Sequence, residues 1–226
     1  MDAKTSQSAK MRTPALAQFV QDAWDAGSKI DLTGVGYGRS TWDDSGDIFT
    51  TPESYYRFLA GAAYLTRATS AVEVGTYWGG STVSLARGML KHSSDIALVT
   101  VDITTNSDNF LPTQPESRVI KKIVGDSTSF DTIKQVMDIF DRIDLLYIDA
   151  DHGLMPTLLN LSLYTTILHP KLILIDDIRL TDEMKAFWEI ARKAYPDHSI
   201  DCLEVIPEIR WDDHGFGLIL MPETIR

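Results

Sequence analysis

One cysteine, Cys202, stands in a chain of 226 residues. That excludes an internal disulfide and any zinc site built on cysteine ligands, and Cys202 is read as a small core residue in a strand. Long apolar runs are missing too. No stretch approaches the roughly 20 residues needed to cross a bilayer. The opening MDAKTSQSAKMRTPA lacks the apolar core of a secretory signal, so a cytoplasmic setting is the default expectation. Positive charge is in deficit, with 21 Lys and Arg against 32 Asp and Glu and a formal net charge of −11. This argues against a general binder of nucleic acid or of anionic membranes, which would need a basic surface. Arg118, Lys121 and Lys122 form one local basic group, read as a solvated edge beside a strand.

The remaining composition is that of a soluble globular protein, 44% apolar and 23% charged. Residues 1–12 read as a tail, and residues 13–26 as a helix with Thr13 as N-cap and Pro14 at its first turn. A Gly- and Asp-rich segment over 27–47 has the length of a lid or binding loop, and a second helix follows over 51–66 with Thr51 as N-cap. The domain division placed on this pattern is an N-terminal tail, helix and lid-like loop over 1–50, followed by the main domain over 51–226.

A regular alternation then begins. The apolar runs AVEVG (71–75), IALVTVD (96–102), VIKKIVG (119–125), IDLLYID (143–149) and KLILIDD (171–177) are separated by helical stretches at 81–91, 130–140, 155–167 and 182–194. Continuous apolar strands between helices indicate an α/β fold, a doubly wound, mostly parallel sheet of Rossmann-like type. SIDCLEVI (199–206) and FGLILM (216–221) are joined by too short a link for a parallel crossover, so they should pair as a C-terminal antiparallel hairpin. Ligands of such sheets bind outside the carboxyl ends of the strands. The residues that carry chemistry cluster there.

The first run opens AVEVGTYWGGSTVSLAR, with Gly75, Gly79 and Gly80 spaced unlike the dinucleotide fingerprint and without the Lys-Ser/Thr of a phosphate loop. Gly34, Gly36 and Gly38 are closer to that spacing, but no strand precedes them. Glu73 inside the strand points to a ligand with positive charge. Asp102 at the next strand end suits two ribose hydroxyls, and Asp126, beside Ser127, suits an exocyclic amine. A cationic ligand with ribose and adenine but no phosphate is S-adenosylmethionine. At the fourth and fifth strand ends, Asp149, Asp176 and Asp177 would share one crevice, where like charges need a cation or a proton. Carboxylate oxygens suit Mg²⁺ or another hard divalent ion. Such an ion would lower the pKa of an acceptor hydroxyl, and His152 could take its proton.

The stretch Glu73-Val-Gly75-Thr76-Tyr77-Trp-Gly79-Gly-Ser81 resembles the first motif of class I methyltransferases, in particular the catechol O-methyltransferase-like branch. The similarity runs from about residue 52 to the end. It implies that Glu73 and the turn with Gly75, Thr76, Tyr77, Gly79 and Ser81 hold the methionine part of S-adenosylmethionine, Asp102 the ribose, and Asp126 with Ser127 the adenine. It also implies a metal held by Asp149, Asp176 and Asp177. Members of the macrocin type carry His three residues after the first of these acids, where catechol-type members carry Lys. That matches Asp149 and His152 and points to a sugar or other alcohol hydroxyl.

The leading expectation is therefore an S-adenosylmethionine-dependent O-methyltransferase of a hydroxylated small molecule, Mg²⁺-assisted, with Asp149 and His152 at the reacting centre. Rival readings keep the fold as a metal-independent N- or O-methyltransferase or as a non-catalytic binding module. A nicotinamide oxidoreductase is disfavoured by the missing fingerprint. Tyr37, Trp42 and Trp211 are candidate pocket walls. Asp151 reads as a capping residue and His214 as a turn residue, and a homodimer is the commonest assembly to expect.

Overall fold

The computed structural model describes residues 3–35, 54–210 and 212–221, with side chains from residue 14 onward. Tyr37, Trp42, Thr51, Trp211 and most of the lid-like segment lie outside the described residues. Two helices lead the chain: α1 (Ala3–Gly27) and α2 (Ser54–Leu65). Then come β1 (Ser70–Val74), α3 (Gly80–Leu90), β2 (Ala97–Asp102), β3 (Ile120–Val124) and α4 (Phe130–Met137). The second half is β4 (Leu145–Ile148), α5 (Leu154–Leu168), β5 (Leu172–Asp176), α6 (Asp182–Ala194), β6 (Ser199–Asp201) and β7 (Phe216–Leu220).

The seven strands form one sheet in the order β3-β2-β1-β4-β5-β7-β6. The first five strands are parallel, and β7 runs antiparallel to both β5 and β6. The strand order reverses between β1 and β4, which is where a doubly wound sheet opens a crevice. Both faces of the sheet are covered because successive side chains alternate. Ala71, Leu145, Tyr147, Leu174 and Phe216 pack with α1, α2 and α3. Val72, Leu146, Ile148, Ile175 and Ile219 pack with α5 and α6. Large side chains such as Phe58, Leu85 and Phe187 are completely buried, each worth about 1.5–3 kcal/mol of transfer free energy.

Three sequence expectations change. The helix expected from Thr13 begins at Ala3 and runs through the exposed Pro14; the residues read as a tail continue it. Its buried stripe of Leu16, Val20 and Ala23 joins the core cluster of α2. SIDCLEVI is a strand only over Ser199–Asp201. The Asp201 carboxylate accepts the Leu203 N–H (3.1 Å), turning the chain into a 3₁₀ turn at Cys202–Glu204. Cys202 is therefore a core residue, as expected, but in a turn. At the sheet edge Lys121 is exposed, and Lys122 pairs with Asp108 at 2.7 Å. Charge of this kind on an edge strand discourages pairing with another sheet.

Candidate active site

An open cleft of about 820 Å³ lies across the carboxyl ends of β1 to β5, within the size range of small-molecule sites. Asp102, Asp126, Ser127, Asp149, His152, Asp176 and Asp177 line it, with Gly75 and Tyr77 of the glycine turn. These strand-end residues come together because β2, β1, β4 and β5 are neighbours in the sheet.

Four residues assigned to the cofactor from sequence do not line the cleft: Glu73, Thr76, Gly79 and Ser81. Glu73 lies completely buried beneath the turn. Its carboxylate accepts hydrogen bonds from Ser81 Oγ (2.6 Å), Thr100 Oγ1 (2.6 Å) and Thr82 Oγ1. Thr100 stands opposite Glu73 in the β1–β2 register, and the other two hydroxyls come from the first turn of α3. Burial raises the Glu73 pKa to about 7, with the three hydroxyls opposing the rise. Glu73 is thus a brace for the turn rather than a counter-charge facing the cleft. The glycines are likewise explained by the protein itself. At Gly75 (φ +100°) a Cβ would collide with the Asp149 carbonyl, and at Gly79 (φ +90°) with Leu111.

Asp102 has two tasks in reach. Its Oδ2 accepts the N–H groups of Thr76 (2.9 Å) and Tyr77 (2.7 Å), and its Oδ1 accepts Thr104 N–H (2.8 Å). It fixes the glycine turn while still lining the cleft. Asp126 accepts the N–H and hydroxyl of Thr128, which lower its pKa. Ser127 donates to Asn160 Oδ1 at 2.8 Å. Between them, Ile103 and Leu159 remain exposed on the wall, 74% and 45%. Apolar side chains left open beside polar edge groups suit a flat heteroaromatic ring.

The acid cluster closes the other end. Tyr147 on β4 points the same way as Asp149, two residues on, and its hydroxyl reaches Asp149 Oδ2 (3.0 Å) and Asp176 Oδ2 (3.3 Å). Burial, then the charges of Asp149 and Asp176, hold the Tyr147 hydroxyl well above its usual pKa, so it stays a donor. Asp177 has φ +56°, a left-handed backbone of the kind Asp tolerates better than most residues.

Arg210, from the link after β6, fills the centre. Its Nη1 sits 2.6 Å from both oxygens of Asp176, its Nη2 3.1 Å from Asp177, and its fork grips Asp212 at 3.0 and 2.7 Å. Tyr55 of α2 presents its ring 4.9 Å from the guanidinium. Burial and Asp149 push the Asp176 carboxyl well up in pKa, with Arg210 opposing. His152 Nε2 lies 3.0 Å from Asp177 Oδ2 and 3.6 Å from Asp149 Oδ1. Neither contact is a well-directed hydrogen bond, and Nε2 is a buried atom held by these ion-pair contacts alone, whereas Asp177 Oδ1 faces Arg210 Nη2. Burial alone would lower the His152 pKa, but Asp149 and Asp177 overcome it and raise it to about 10. Asp149 and Asp177 thus favour a proton on Nε2, which a bound cation would have to displace.

Arg210, Tyr147 and Asn160 were not foreseen. For Tyr147 the period of two along IDLLYID was a usable signal; Arg210 sits in a link with no period at all. Asp151 accepts the Gly153 N–H at 2.8 Å, the local role expected of it. His214 does more than turn the chain, since its Nδ1 approaches Asp212 at 3.2 Å and Asp177 at 3.5 Å.

Residues 72–178, which hold the glycine turn and the acids at the ends of β2, β3, β4 and β5, match the family described as a methyltransferase domain. Over those residues the chain is similar to a methyltransferase domain. Solved structures of the same fold include the O-methyltransferase TomG of Streptomyces achromogenes, involved in tomaymycin synthesis and solved with SAM. It is 18% identical over 88% of this chain and 95% of its own, with a TM-score of 0.62. An O-methyltransferase of Bacillus cereus, solved with SAH, is 16% identical over 90% of this chain and 91% of its own, with a TM-score of 0.58. The cofactor-bound Rv0187 of MTB is 22% identical over 92% of this chain and 89% of its own, with a TM-score of 0.54. At such identities the likeness is one of fold alone. No curated protein matches the chain by sequence. Among the described residues no helix is long and apolar enough to cross a membrane.

Proposed function

We propose that this chain is a methyltransferase that uses S-adenosylmethionine to methylate a hydroxyl of a small molecule, with a divalent cation at the acid cluster. The observation that carries the reading is the single cleft joining Asp102 and Asp126 at one end to Asp149, His152 and Asp177 at the other. One end has the groups a nucleoside needs and the other the groups a cation needs, so cofactor and acceptor would meet between them. The TomG and Bacillus cereus enzymes, both O-methyltransferases by name, favour oxygen as the acceptor atom.

S-adenosylmethionine supplies a methyl group on a sulfonium, open to in-line displacement. The chain would hold it through Asp102 at the ribose, Asp126 and Ser127 at the adenine edge, and Ile103 with Leu159 against the ring. Gly75 and Tyr77 would border the methionine part, while Glu73, Thr76, Gly79 and Ser81 keep the turn in shape. Positioning matters as much as activation, because aligned reactants recover several kcal/mol of the barrier.

The acid cluster fits a cation by the chemistry of its donors. One ligand atom each from Asp149, His152 and Asp177 fall within 4.8 Å of one another, and His152 Nε2 among them is buried without a directed hydrogen bond. Asp176, Asp177 and Asp212 surround Arg210, and Asp149 stands beside them against His152, so carboxylates outnumber the cationic side chains of the cluster. Such an ion would acidify the acceptor hydroxyl. His152, the proton acceptor assigned from sequence, would serve as one only where its Nε2 neither carries a proton between the two carboxylates nor binds the cation.

A metal-free reading rests on Arg210, which already supplies one positive charge to the cluster. Purified enzyme incubated with S-adenosylmethionine and a panel of sugar, alcohol and phenol acceptors separates the two. A mass gain of one methyl that disappears with EDTA and returns with divalent ion supports the metal-assisted form. An unchanged rate in EDTA contradicts it, and methylation confined to amines contradicts the O-methyl assignment.

A further inference from the structure

Arg210 and His152 together alter what kind of cation the cluster can take, an inference that rests on the metal-assisted reading above. Three carboxylates at the ends of β4 and β5 would form an all-oxygen site, but Asp176 is already engaged. Both its oxygens lie 2.6 Å from Arg210 Nη1, Oδ1 also accepts the Asp177 N–H at 2.9 Å, and Oδ2 accepts from Tyr147. Only 2% of Asp176 is exposed. The three residues whose ligand atoms converge are Asp149, His152 and Asp177.

We infer that His152 is a cation ligand in place of Asp176, which Arg210 holds out of the donor set. The position of Nε2 supports this. It is buried, faces the two carboxylates at 3.0 and 3.6 Å, and lacks a directed hydrogen bond. A nitrogen that points at two anions without bonding well to either is placed as a ligand atom would be. The same Nε2 cannot bind a cation and accept the substrate proton, so the proton passes to water or to another group.

The donor set has consequences for selectivity. Two carboxylates and one imidazole form a mixed oxygen and nitrogen site, and imidazole favours Co²⁺, Zn²⁺ and their neighbours over Mg²⁺ and Ca²⁺. Arg210 also contributes a fixed positive charge beside the site, which weakens ions held by charge alone.

The test uses the full chain stripped with chelator and titrated calorimetrically with Co²⁺ and with Mg²⁺, Co²⁺ binding also being followed by visible absorption. Co²⁺ should bind more than about tenfold tighter than Mg²⁺. His152→Ala should weaken Co²⁺ about tenfold or more while moving Mg²⁺ less than about threefold, and the cobalt absorption should change with loss of nitrogen. Arg210→Gln, which releases Asp176, should strengthen Mg²⁺. Should that variant misfold, the His152→Ala comparison decides alone. Equal affinities, or a His152→Ala protein with unaltered Co²⁺ binding and absorption, would overturn the inference. S-adenosylmethionine is titrated into the same preparation. Cofactor binding without any Co²⁺ binding overturns the ligand role and leaves the methyltransferase reading standing, whereas loss of both removes the two together.

Discussion

Two groups of buried acids sit on the same sheet and behave in opposite ways. Glu73 is wholly enclosed and meets three hydroxyl donors from β2 and α3. The acids of β4 and β5 are crowded by one another, share one arginine and one tyrosine, and face an imidazole nitrogen with no directed hydrogen bond. A buried polar group with all its partners inside the protein has a structural task, whereas one without them is waiting for something. Glu73 and Asp149 look alike in sequence, each an acid in or just after an apolar strand. Their surroundings separate them.

The comparison can be broken most sharply at Asp149. Asp149→Asn should lower turnover a hundredfold or more, about 3 kcal/mol of lost transition-state stabilisation. Cofactor affinity and melting temperature should change little, as read by calorimetry and thermal denaturation. Asp176→Ala is expected to differ in kind. It leaves Arg210 without its closest partner in a buried setting and should cost about 3 kcal/mol of stability in denaturant titrations. A variant that keeps full stability would show that Asp176 belongs to the reacting centre alone.

Glu73 sharpens the other side. Its pKa is raised in the folded state, from 4.5 to about 7. The stability it contributes is therefore complete below pH 4.5 and is lost as pH rises through 7. The native protein should lose up to about 3 kcal/mol across that window, since a proton held more tightly in the folded state contributes about 1.4 kcal/mol for each pH unit. Glu73→Gln should flatten the decline, measured by urea unfolding from pH 5 to 8. Smaller still, Asp102→Asn should weaken S-adenosylmethionine about tenfold, near 1.4 kcal/mol. Ile103→Ala, at an exposed position, should weaken it only a few-fold and change stability by less than about 0.5 kcal/mol.

Much of this was legible in the sequence, for a physical reason. Parallel strands buried on both faces must be apolar throughout, so AVEVG, IDLLYID and KLILIDD announce themselves, and the acids that end them mark the ligand side of the sheet. The order of strands then gathers Asp102, Asp126, Asp149, Asp176 and Asp177 without further help. What the sequence did not show is which way side chains commit. Glu73 could have faced a sulfonium, but Thr100 across the ladder and two hydroxyls of α3 claim it. The glycines that suggest room for a ligand instead admit the Asp149 carbonyl and Leu111. Arg210 arrives from an aperiodic link 34 residues beyond Asp176, and no spacing rule connects the two. His152 had the expected place but not the expected proton affinity, because two carboxylates face it.

The measurement that bears most directly on the account is a calorimetric titration of the native chain and of Asp102→Asn with S-adenosylmethionine. Saturable binding at one site per chain, weakened about tenfold in the variant, is the predicted result. No binding to the native chain, or equal binding to both proteins, would contradict the placement of the cofactor in this cleft.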